Sequence, residues 1–369
     1  MDLDRIITTF IIGGLVLLSF LKLTNVIGVN KRANRYFGVF AFLWSTFWLD
    51  ELLLHSDWGL DNMGVRIFRF IQFLVPIPFY ISILNYTDPY FKFSARHLKI
   101  WILPALFFIL LLLKARIQAD LFGVLYIFLF LFHALLYTVL AYLNILKHQK
   151  NIEEFSSNKE NIDLKWIKYI IYSFIASAVI IIIYNVLNPA SSLNIYINTF
   201  FLIVVYLVAY YSIRQKEIYP REFSSANPEH EKMIIEEIRD ESRGKLMSED
   251  EISIYKSRLL HIMETDQPYL DSELNLVKLS AFVGISGHQL SYVINKGFDE
   301  NFYQFVNKYR VKKAEELLRN PAYDHLNMLA IGFEAGFNSK TSFNTTFKKL
   351  TALTPTGYRN NRVREDEML

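Results

Sequence analysis

The chain has 369 residues and a mass of 43.4 kDa, enough for two folded units of about 100–200 residues each. Apolar residues make up 52% of it and charged residues 20%, against about 25% charged residues in a typical soluble domain. With a mean hydropathy of +0.21, this composition excludes a wholly soluble or secreted protein. The sequence contains no cysteine, which excludes disulfides, thiolate metal sites and cysteine nucleophiles.

Seven apolar stretches in the first part of the chain approach or exceed the length of about 20 residues that a bilayer-spanning helix needs. They are Ile6–Leu23, Tyr36–Leu54, Val65–Leu84, Ile100–Leu113, Leu121–Leu146, Ile167–Leu187 and Ile195–Ile213. The fourth stretch is the shortest. The third contains Pro76 and Pro78, which we expect to kink it.

The loops between these stretches differ in their content of lysine and arginine. The basic loops carry Lys31, Arg32 and Arg35, then Lys92, Arg96 and Lys99, then Lys147, Lys150, Lys159, Lys165 and Lys168. The alternate loops carry Arg66, Arg69, Lys114 and Arg116. The positive-inside rule places the basic loops in the cytoplasm, which predicts a multi-pass protein of the inner (cytoplasmic) membrane. Seven spans then put the N-terminus outside and everything after Ile213 inside the cell.

Five ionisable residues of the predicted spans are candidates for sensing a signal. Asp50 and Glu51 end the second span, and Arg66 and Arg69 begin the third, so all four are expected near the outer face. We favour ion pairing between the two helices, and a site for a signal molecule is the alternative. His133 lies near the middle of the fifth span, where packing is favoured over a proton relay.

The composition changes abruptly after the last apolar stretch. A charged segment with two prolines predicts a linker, and Ser248 and Glu251 then form a capping box that starts a helix ending before Pro268. We therefore divide the chain as follows. The predicted parts are a seven-span region (1–213), a linker (214–247), a capped helix (248–273), a C-terminal helical domain (274–364) and a tail (365–369).

Two helices separated by a glycine turn open the C-terminal domain. Leu279 and Val283 fall on one helical face, Gly284 can take the left-handed conformation that ends a helix, and Ser286 can cap a second helix over Gly287–Lys296. The side chains of the second helix that we expect to face outward are His288, Gln289, Ser291, Tyr292 and Asn295. A helix, a short turn and a helix with a polar outer face are typical of a helix-turn-helix unit.

The same pattern occurs a second time. Ile331 and Ala335 share a face, Gly336 makes the turn, and a helix is predicted over Ser339–Leu350. Its residues expected to face inward are Phe343, Phe347 and Leu350, and those expected outward are Lys340, Thr341, Asn344, Thr345 and Lys348. A connecting helix is predicted over Phe302–Leu318, and its length of about 25 Å suits two recognition helices in successive major grooves about 34 Å apart.

Several ordered motifs span residues 275–359. They are Leu279–Ser286 with Leu290, Tyr309–Leu318, Ile331–Phe337 with Phe343, Phe347, Lys348 and Lys349, and the closing Leu353–Arg359. With these motifs the region resembles the DNA-binding domain of the AraC/XylS family of transcription regulators. Seven spans joined to such a domain are similar to a membrane-bound subgroup of that family found in bacteria. Four residues depart from the family pattern: Ser280 and Gly332 replace a common Ala, and Tyr292 and Thr345 replace a frequent Arg.

The resemblance implies binding to double-stranded DNA, and the charge of the region agrees. Between Leu274 and Arg364 bases outnumber acids by about seven, as contact with phosphates requires. The residues expected to read bases are His288, Ser291, Tyr292, Lys340, Thr341, Asn344 and Thr345. Those expected to contact phosphate are Ser286, Lys296, Asn338, Lys348 and Lys349. Contact with phosphate or solvent alone is the alternative for each predicted base reader.

The sequence therefore predicts an all-α chain with a seven-helix transmembrane bundle, followed by a cytoplasmic helical domain with two helix-turn-helix units. We expect a membrane-anchored transcription regulator without catalytic residues, metal or cofactor. Its expected partners are DNA, the lipid bilayer, an unknown signal ligand, a second copy in a homodimer and, by resemblance, RNA polymerase, which implies an activator. Two alternatives stay open. One is a transporter or membrane enzyme with a DNA-binding tail, and the other is a tethered regulator released by proteolysis.

Overall fold

A computed structural model describes residues 3–26, 28–54, 62–88, 91–160, 162–187, 194–216, 218 and 247–366. Within these residues the chain is all-α, as predicted: they contain no strand, and one isolated antiparallel bridge joins Ser156 to Asn275. The chain divides into two compact units, Met1–His148 with Leu164–Tyr219, and Gln149–Asp163 with Pro220–Leu369. Residues 149–163, which the sequence assigns to the N-terminal region, thus belong to the second unit.

The first unit consists of apolar helices of 11 to 37 residues. In the described residues these are α1 (Leu3–Thr24), α2 (Lys31–Leu54), α3 (Asn62–Phe73), α4 (Pro76–Thr87), α5 (Ile102–Leu112), α6 (Ala119–Phe155), α7 (Lys165–Leu187) and α8 (Asn194–Ile213). The last turns of α6 enter the second unit. As predicted, the third apolar stretch is broken, because α3 ends at Phe73 and Pro76 starts a new helix.

Five helical segments of the described residues are long and apolar enough to cross a membrane. They are Leu3–Thr24, Met63–Thr87, His97–Arg116, Ala119–Phe155 and Ile195–Ile213. At the positions of the predicted second and sixth spans lie α2 and α7, with 24 and 23 residues. The exact number of spans stays a prediction.

One face of α6 carries a stripe of exposed apolar side chains. Val124, Phe128, Leu131 and Leu135 follow helical spacing and are 62% to 66% exposed. In water such a stripe would cost about 25 cal/mol for each Å² of apolar surface. A lipid environment removes this cost, so the stripe agrees with membrane insertion.

The second unit is a set of shorter helices built around two apolar clusters. In the described residues these helices are α9 (Glu249–Thr265), α10 (Leu276–Val283), α11 (Gly287–Phe298), α12 (Phe302–Arg319), α13 (Met328–Glu334), α14 (Lys340–Thr351) and α15 (Pro355–Asp366). One cluster joins α9, α10 and α11 to the first half of α12, and the other joins α13 and α14 to its second half. Because α12 contributes to both clusters, it fixes one helix pair relative to the other.

The capping box at the start of α9 forms as predicted. The Glu251 amide donates to Ser248 Oγ at 3.2 Å, and the Ser248 amide donates to the Glu251 carboxylate at 2.8 Å. These hydrogen bonds from Ser248 stabilise the ionised carboxylate and hold the pKa of Glu251 below its ordinary value. The helix ends at Thr265, before Pro268, also as predicted.

Candidate nucleic-acid interface

The first helix pair has the turn geometry that the sequence predicts. Gly284 ends α10 in the left-handed conformation, with φ of 75°, and its amide donates to the Ser280 carbonyl oxygen at 2.8 Å. Ser286 caps α11 by accepting a hydrogen bond from the Gln289 amide at 3.2 Å, and the Gln289 side chain accepts one from the Ser286 amide at 3.0 Å. This second capping box fixes the direction in which α11 leaves the turn.

The exposed face of α11 is narrower than expected. His288, Gln289 and Tyr292 are half-buried, and Asn295 and Lys296 are exposed. Buried beneath them are Leu290, Ser291, Val293 and Ile294. The expectation that Ser291 faces outward is wrong. Its side chain is 5% exposed and its hydroxyl accepts from Asn295 Nδ2 at 3.5 Å, because it lies next to the apolar stripe of the helix.

The second helix pair repeats the geometry, with its turn glycine packed against the backbone of another segment. Gly336 has φ of 87°, and a Cβ added there would lie 2.3 Å from the carbonyl oxygen of Tyr269. The N-cap of α14 is Ser339, which accepts from the Ser342 amide at 3.2 Å. The helix predicted over Ser339–Leu350 begins at Lys340, because Ser339 is its cap, and Asn338 lies one residue before that cap.

The outer face of α14 is polar and basic, as expected. Lys340, Thr341, Thr345, Lys348 and Lys349 are exposed, and Asn344 is half-buried. Buried on the opposite face are Phe343, Thr346 and Phe347. Leu350 was expected to face inward, and this is wrong: it lies in the last turn of α14 and is 51% exposed.

The connecting helix α12 has 18 residues and is therefore about 27 Å long. It holds the first helix pair at one end and the second at the other. The two recognition helices, α11 and α14, are thus carried by one rigid element.

Arg310 of α12 is a structural cation and does not contribute to a DNA surface. Its side chain is 1% exposed, and its guanidinium donates hydrogen bonds to four residues. Burial lowers the pKa of Arg310 to about 10, although the Asp271 charge opposes this shift, so the group stays charged at neutral pH. Arg310 follows Val306 and precedes Ala314 at four-residue spacing, a signal in the sequence that it lies on the buried face.

Several other cations of the domain are engaged locally. Lys278 binds Asp271 at 2.9 Å, Lys308 binds Glu300 at 3.0 Å and Lys313 binds Glu316 at 3.4 Å. The basic surplus counted from the sequence therefore overstates the charge available to DNA. The exposed cations carried by the recognition helices are Lys296, Lys340, Lys348 and Lys349.

The signal-site residues of the first unit are not brought into one contact group among the described side chains. The side chains of Asp50 and Glu51 lie outside the described residues. Arg69 donates to Gln72 Oε1 at 3.2 Å, and Arg66 is half-buried. His133 is buried, with its ring stacked on Phe73 at 4.1 Å and edge-on to Tyr137 at 4.9 Å. The part of the chain that is described contains no cluster of three or more His, Asp or Glu side chains able to hold a metal ion.

A buried polar cluster in the first unit was missed at the level of sequence. Lys22 Nζ donates to Asn34 Oδ1 at 3.3 Å and to the Ser212 carbonyl oxygen at 2.8 Å, and the Tyr86 hydroxyl donates to the same Asn34 oxygen at 2.6 Å. From the amino-acid sequence of α1 alone, Lys22 cannot be distinguished from a lysine whose ammonium group extends to the membrane surface. Its hydrogen-bond partners come from α2 and α8, and α4 joins the cluster through Asn34, so only the packing identifies it.

Comparison with known proteins agrees with this geometry. Residues 279–361 match the family model of a helix-turn-helix domain. Uncharacterized HTH-type transcriptional regulators of Staphylococcus aureus strains COL and MSSA476 are each 33% identical to this chain over 94 residues. That stretch is 26% of this chain and 12% of each relative, so the chain spans about an eighth of the length of these relatives. No solved structure matches the chain significantly.

The C-terminal domain is therefore a helix-turn-helix domain of the AraC/XylS type that its motifs resemble. Domains of this kind are typical of DNA-binding transcription regulators, and the relatives are named HTH-type transcriptional regulators. The matched region contains both recognition helices. It does not include the first unit.

Proposed function

We propose that this chain is a membrane-anchored transcription regulator that couples a membrane or extracytoplasmic signal to gene expression by sequence-specific DNA binding. The observation that carries the proposal is the pair of recognition helices. Both α11 and α14 start at a serine cap, expose a polar face and bury an apolar one, and both are fixed to α12. The apolar helices of the first unit supply the anchor. The chain acts by binding rather than by catalysis.

Base reading falls to the exposed or half-buried side chains of the two helices. They are His288, Tyr292, Lys340, Thr341, Asn344 and Thr345. Ser291 is withdrawn from this set because it is buried. Asn344 can form a paired hydrogen bond with adenine, and Tyr292 can contact a thymine methyl group. Because no arginine lies on either exposed face, strong reading of guanine is not expected.

Phosphate contacts come from Lys296, Lys348 and Lys349 and from the first turns of the helices capped by Ser286 and Ser339. Unsatisfied amides and the helix dipole favour an anion there. Asn338 stays in this set as the residue before the cap of α14.

The first unit has seven spans in this proposal, with the N-terminus outside and the second unit in the cytoplasm. The lysine and arginine distribution supports this orientation. Its outer charges, Asp50, Glu51, Arg66 and Arg69, lie where a signal molecule would arrive, and His133 is a packed residue of the bundle. By resemblance, the bound domain activates transcription through RNA polymerase, and a homodimer lengthens the DNA site.

The experiment that tests the proposal is cross-linking of the full-length tagged chain to DNA in its host, followed by sequencing of the DNA that co-purifies. A Lys340→Ala/Asn344→Ala variant is run in parallel. A matched control, Lys150→Ala/Asn360→Ala, removes an exposed lysine and an exposed asparagine outside both recognition helices. We expect a few sharp peaks for the wild type and the control and none for the recognition variant. Peaks that persist in that variant, or no peaks under any growth condition, would contradict the proposal.

A further inference from the structure

A short segment made of the last residues of α6 and the residues that follow it belongs to the DNA-binding unit. We call residues 153–159 the docking loop. They lie within the stretch Gln149–Asp163, which groups with the C-terminal helices, while the chain on either side of that stretch belongs to the first unit. The helix α6 runs without a break from its apolar part to Phe155, in the docking loop itself.

The docking loop pairs with the start of the first helix-turn-helix unit. Ser156 forms an antiparallel bridge with Asn275, the N-cap of α10. The hydroxyl of Ser157 donates to the Leu274 carbonyl oxygen at 2.5 Å, and the Ser157 side chain is buried. The bridge, together with the Ser157 amide and hydroxyl bonded to the Leu274 carbonyl oxygen, fixes the register of the loop on the domain.

The loop also completes the hydrogen-bond shell of Arg310. The guanidinium donates to the Ser157 carbonyl oxygen at 3.2 Å and to Ser157 Oγ at 3.0 Å. Its other acceptors include the carbonyl oxygens of Tyr269 and Asp271, both at 2.8 Å. Asn307 Nδ2, one turn earlier on α12, donates to the same Ser157 carbonyl oxygen at 3.1 Å. A buried network of this kind is specific in geometry, and release of the loop exposes its members to water.

The far side of the loop leads towards the second recognition helix. Lys159 Nζ lies 3.9 Å from the centre of the Tyr303 ring. The Tyr303 hydroxyl is hydrogen-bonded to Thr346 Oγ1 at 3.1 Å, and Thr346 lies on the buried face of α14. Glu153 in addition accepts from Asn301, the N-cap of α12, at 3.0 Å. One loop therefore contacts the first helix pair and the connecting helix, and reaches the second recognition helix through one side chain.

The docked loop leaves the recognition faces open. Lys340, Thr341 and Thr345 are exposed while the loop is in place. The loop therefore does not block DNA sterically, and its contacts lie on the buried sides of the helices. This arrangement favours a brace over an inhibitory plug.

We propose that the docking loop is an intrachain brace through which the membrane-embedded unit controls DNA binding. With the loop docked on α10 and α12, the two recognition helices keep the arrangement that reads DNA, and a displacement of α6 against α7 releases it. The proposal rests on the function proposed above. It assigns signal transmission to this loop in addition to the linker that precedes α9.

Docking of the loop is tested with pairs of introduced cysteines. Because the chain has no cysteine of its own, only the introduced pair can form a disulfide within the chain. Residues paired in an antiparallel bridge have Cα atoms about 4.5–5.5 Å apart, within the range of about 4.4–6.8 Å that a disulfide spans. We expect Ser156→Cys/Asn275→Cys to form a disulfide in the full-length chain in lipid nanodiscs under mild oxidation. The pair Ser156→Cys/Asn360→Cys is the matched control and is expected to stay reduced. The single variant Asn275→Cys reports the effect of losing the cap.

The effect on DNA is measured with the fragment most enriched in the cross-linking experiment and with a shuffled duplex of equal length. We expect the affinity of Ser157→Gly/Lys159→Ala for the fragment to be at least about five-fold lower than that of the wild type. About five-fold is the lower end of the range of allosteric couplings. Lys150→Ala, an exposed lysine seven residues from Ser157, is expected to stay within about two-fold. The oxidised Ser156→Cys/Asn275→Cys chain should bind the fragment at least as tightly as its reduced form.

The outcomes separate the two proposals. Failure of the pair to cross-link, or weaker binding by the oxidised than by the reduced chain, would overturn the brace. Equal affinity of the loop variant and the wild type would also overturn it, even where the disulfide forms. Wild-type protein that does not distinguish the fragment from the shuffled duplex would contradict the proposed function itself, and the brace with it.

Discussion

At the scale of single residues, two glycines show how closely the recognition helices are packed. Gly336 has a left-handed backbone conformation, and its Cα faces the backbone of Tyr269 and Leu270. These two residues lie just before the first helix-turn-helix unit. Gly332 replaces an alanine common in the resembled family, and a Cβ there would lie 2.9 Å from Phe343 Cδ1. The large phenylalanine of α14 thus requires the small residue of α13.

Substitution of these glycines is predicted to destabilise the domain in a graded way. Gly336→Ala should lower the free energy of unfolding by about 3 kcal/mol or more, because a backbone clash adds to the left-handed strain. Gly332→Ala should cost about 1–3 kcal/mol, because the buried Phe343 must shift. Pulse proteolysis of the full-length chain in urea, following the C-terminal fragment, measures both.

The control for this series is Gly287→Ala. Its added Cβ would lie 3.7 Å from Leu276 Cδ2, an ordinary contact in the first turn of α11. We expect a change of less than about 1 kcal/mol, and of either sign. Equal losses at all three glycines would contradict the packing described for the second turn.

Single recognition residues are predicted to differ in how they affect DNA binding. Lys348→Ala should weaken binding to all sequences and reduce the slope of log affinity against log salt by about one, because its exposed ammonium is proposed to contact phosphate. Asn344→Ala should leave that slope unchanged and cost about 1–3 kcal/mol at one adenine-containing position. Titrations of full-length protein with labelled duplexes at several salt concentrations distinguish the two effects, and equal salt slopes for both variants would contradict a phosphate role for Lys348.

At the scale of elements, local signals predicted the helices well. Caps at Ser248 and Ser286 and the turn at Gly284 depend on neighbouring residues, so the sequence locates them to the residue. The all-α class followed from the same apolar periodicity.

The features that could not be predicted from the sequence depend on contacts between segments far apart in the chain. Arg310 was counted as surface charge, yet its partners lie up to 153 residues away along the chain. Ser291 was placed on the outer face because it is polar, although the packing of α11 covers it. The docking loop was assigned to the first unit because its flanking helices are there. Nothing in its short polar sequence specifies the surface on which it docks.

One element-scale prediction concerns the acid stability of the turn before α10. Burial raises the pKa of Asp271, but hydrogen bonds from Lys278 and from the Glu273 amide, together with the charges of Lys278 and Arg310, outweigh it and lower the pKa overall. The stabilisation is therefore present above the ordinary pKa of 3.8 and is lost as the pH falls through the lower folded-state value.

Because this carboxylate is partly exposed, we expect a contribution of about 1 kcal/mol or less. Asp271→Asn should lower stability near pH 6 and leave a flatter acid limb between pH 5 and 2 in hydrogen-exchange measurements on residues 268–283. A variant with the same acid limb as the wild type would show that Asp271 does not carry this dependence.

At the scale of the whole molecule, the proposed function requires an orientation in the membrane that leaves the second unit in the cytoplasm. A single cysteine in place of Gln118 lies in a loop predicted to be outside, and one in place of Ser94 lies in a loop predicted to be inside. Both positions are exposed. We expect a membrane-impermeant maleimide to label the first variant in intact cells and the second only after lysis. The reverse pattern would invert the topology and put the DNA-binding domain outside.

The central claim is that an intact, membrane-embedded chain binds its DNA. The most direct measurement is co-sedimentation of the enriched DNA fragment with membrane vesicles that contain the full-length protein. We predict that the fragment sediments with inside-out vesicles, and not with right-side-out vesicles or with vesicles carrying Lys340→Ala/Asn344→Ala. Binding confined to a shorter, soluble form of the chain would contradict the claim and favour release by proteolysis.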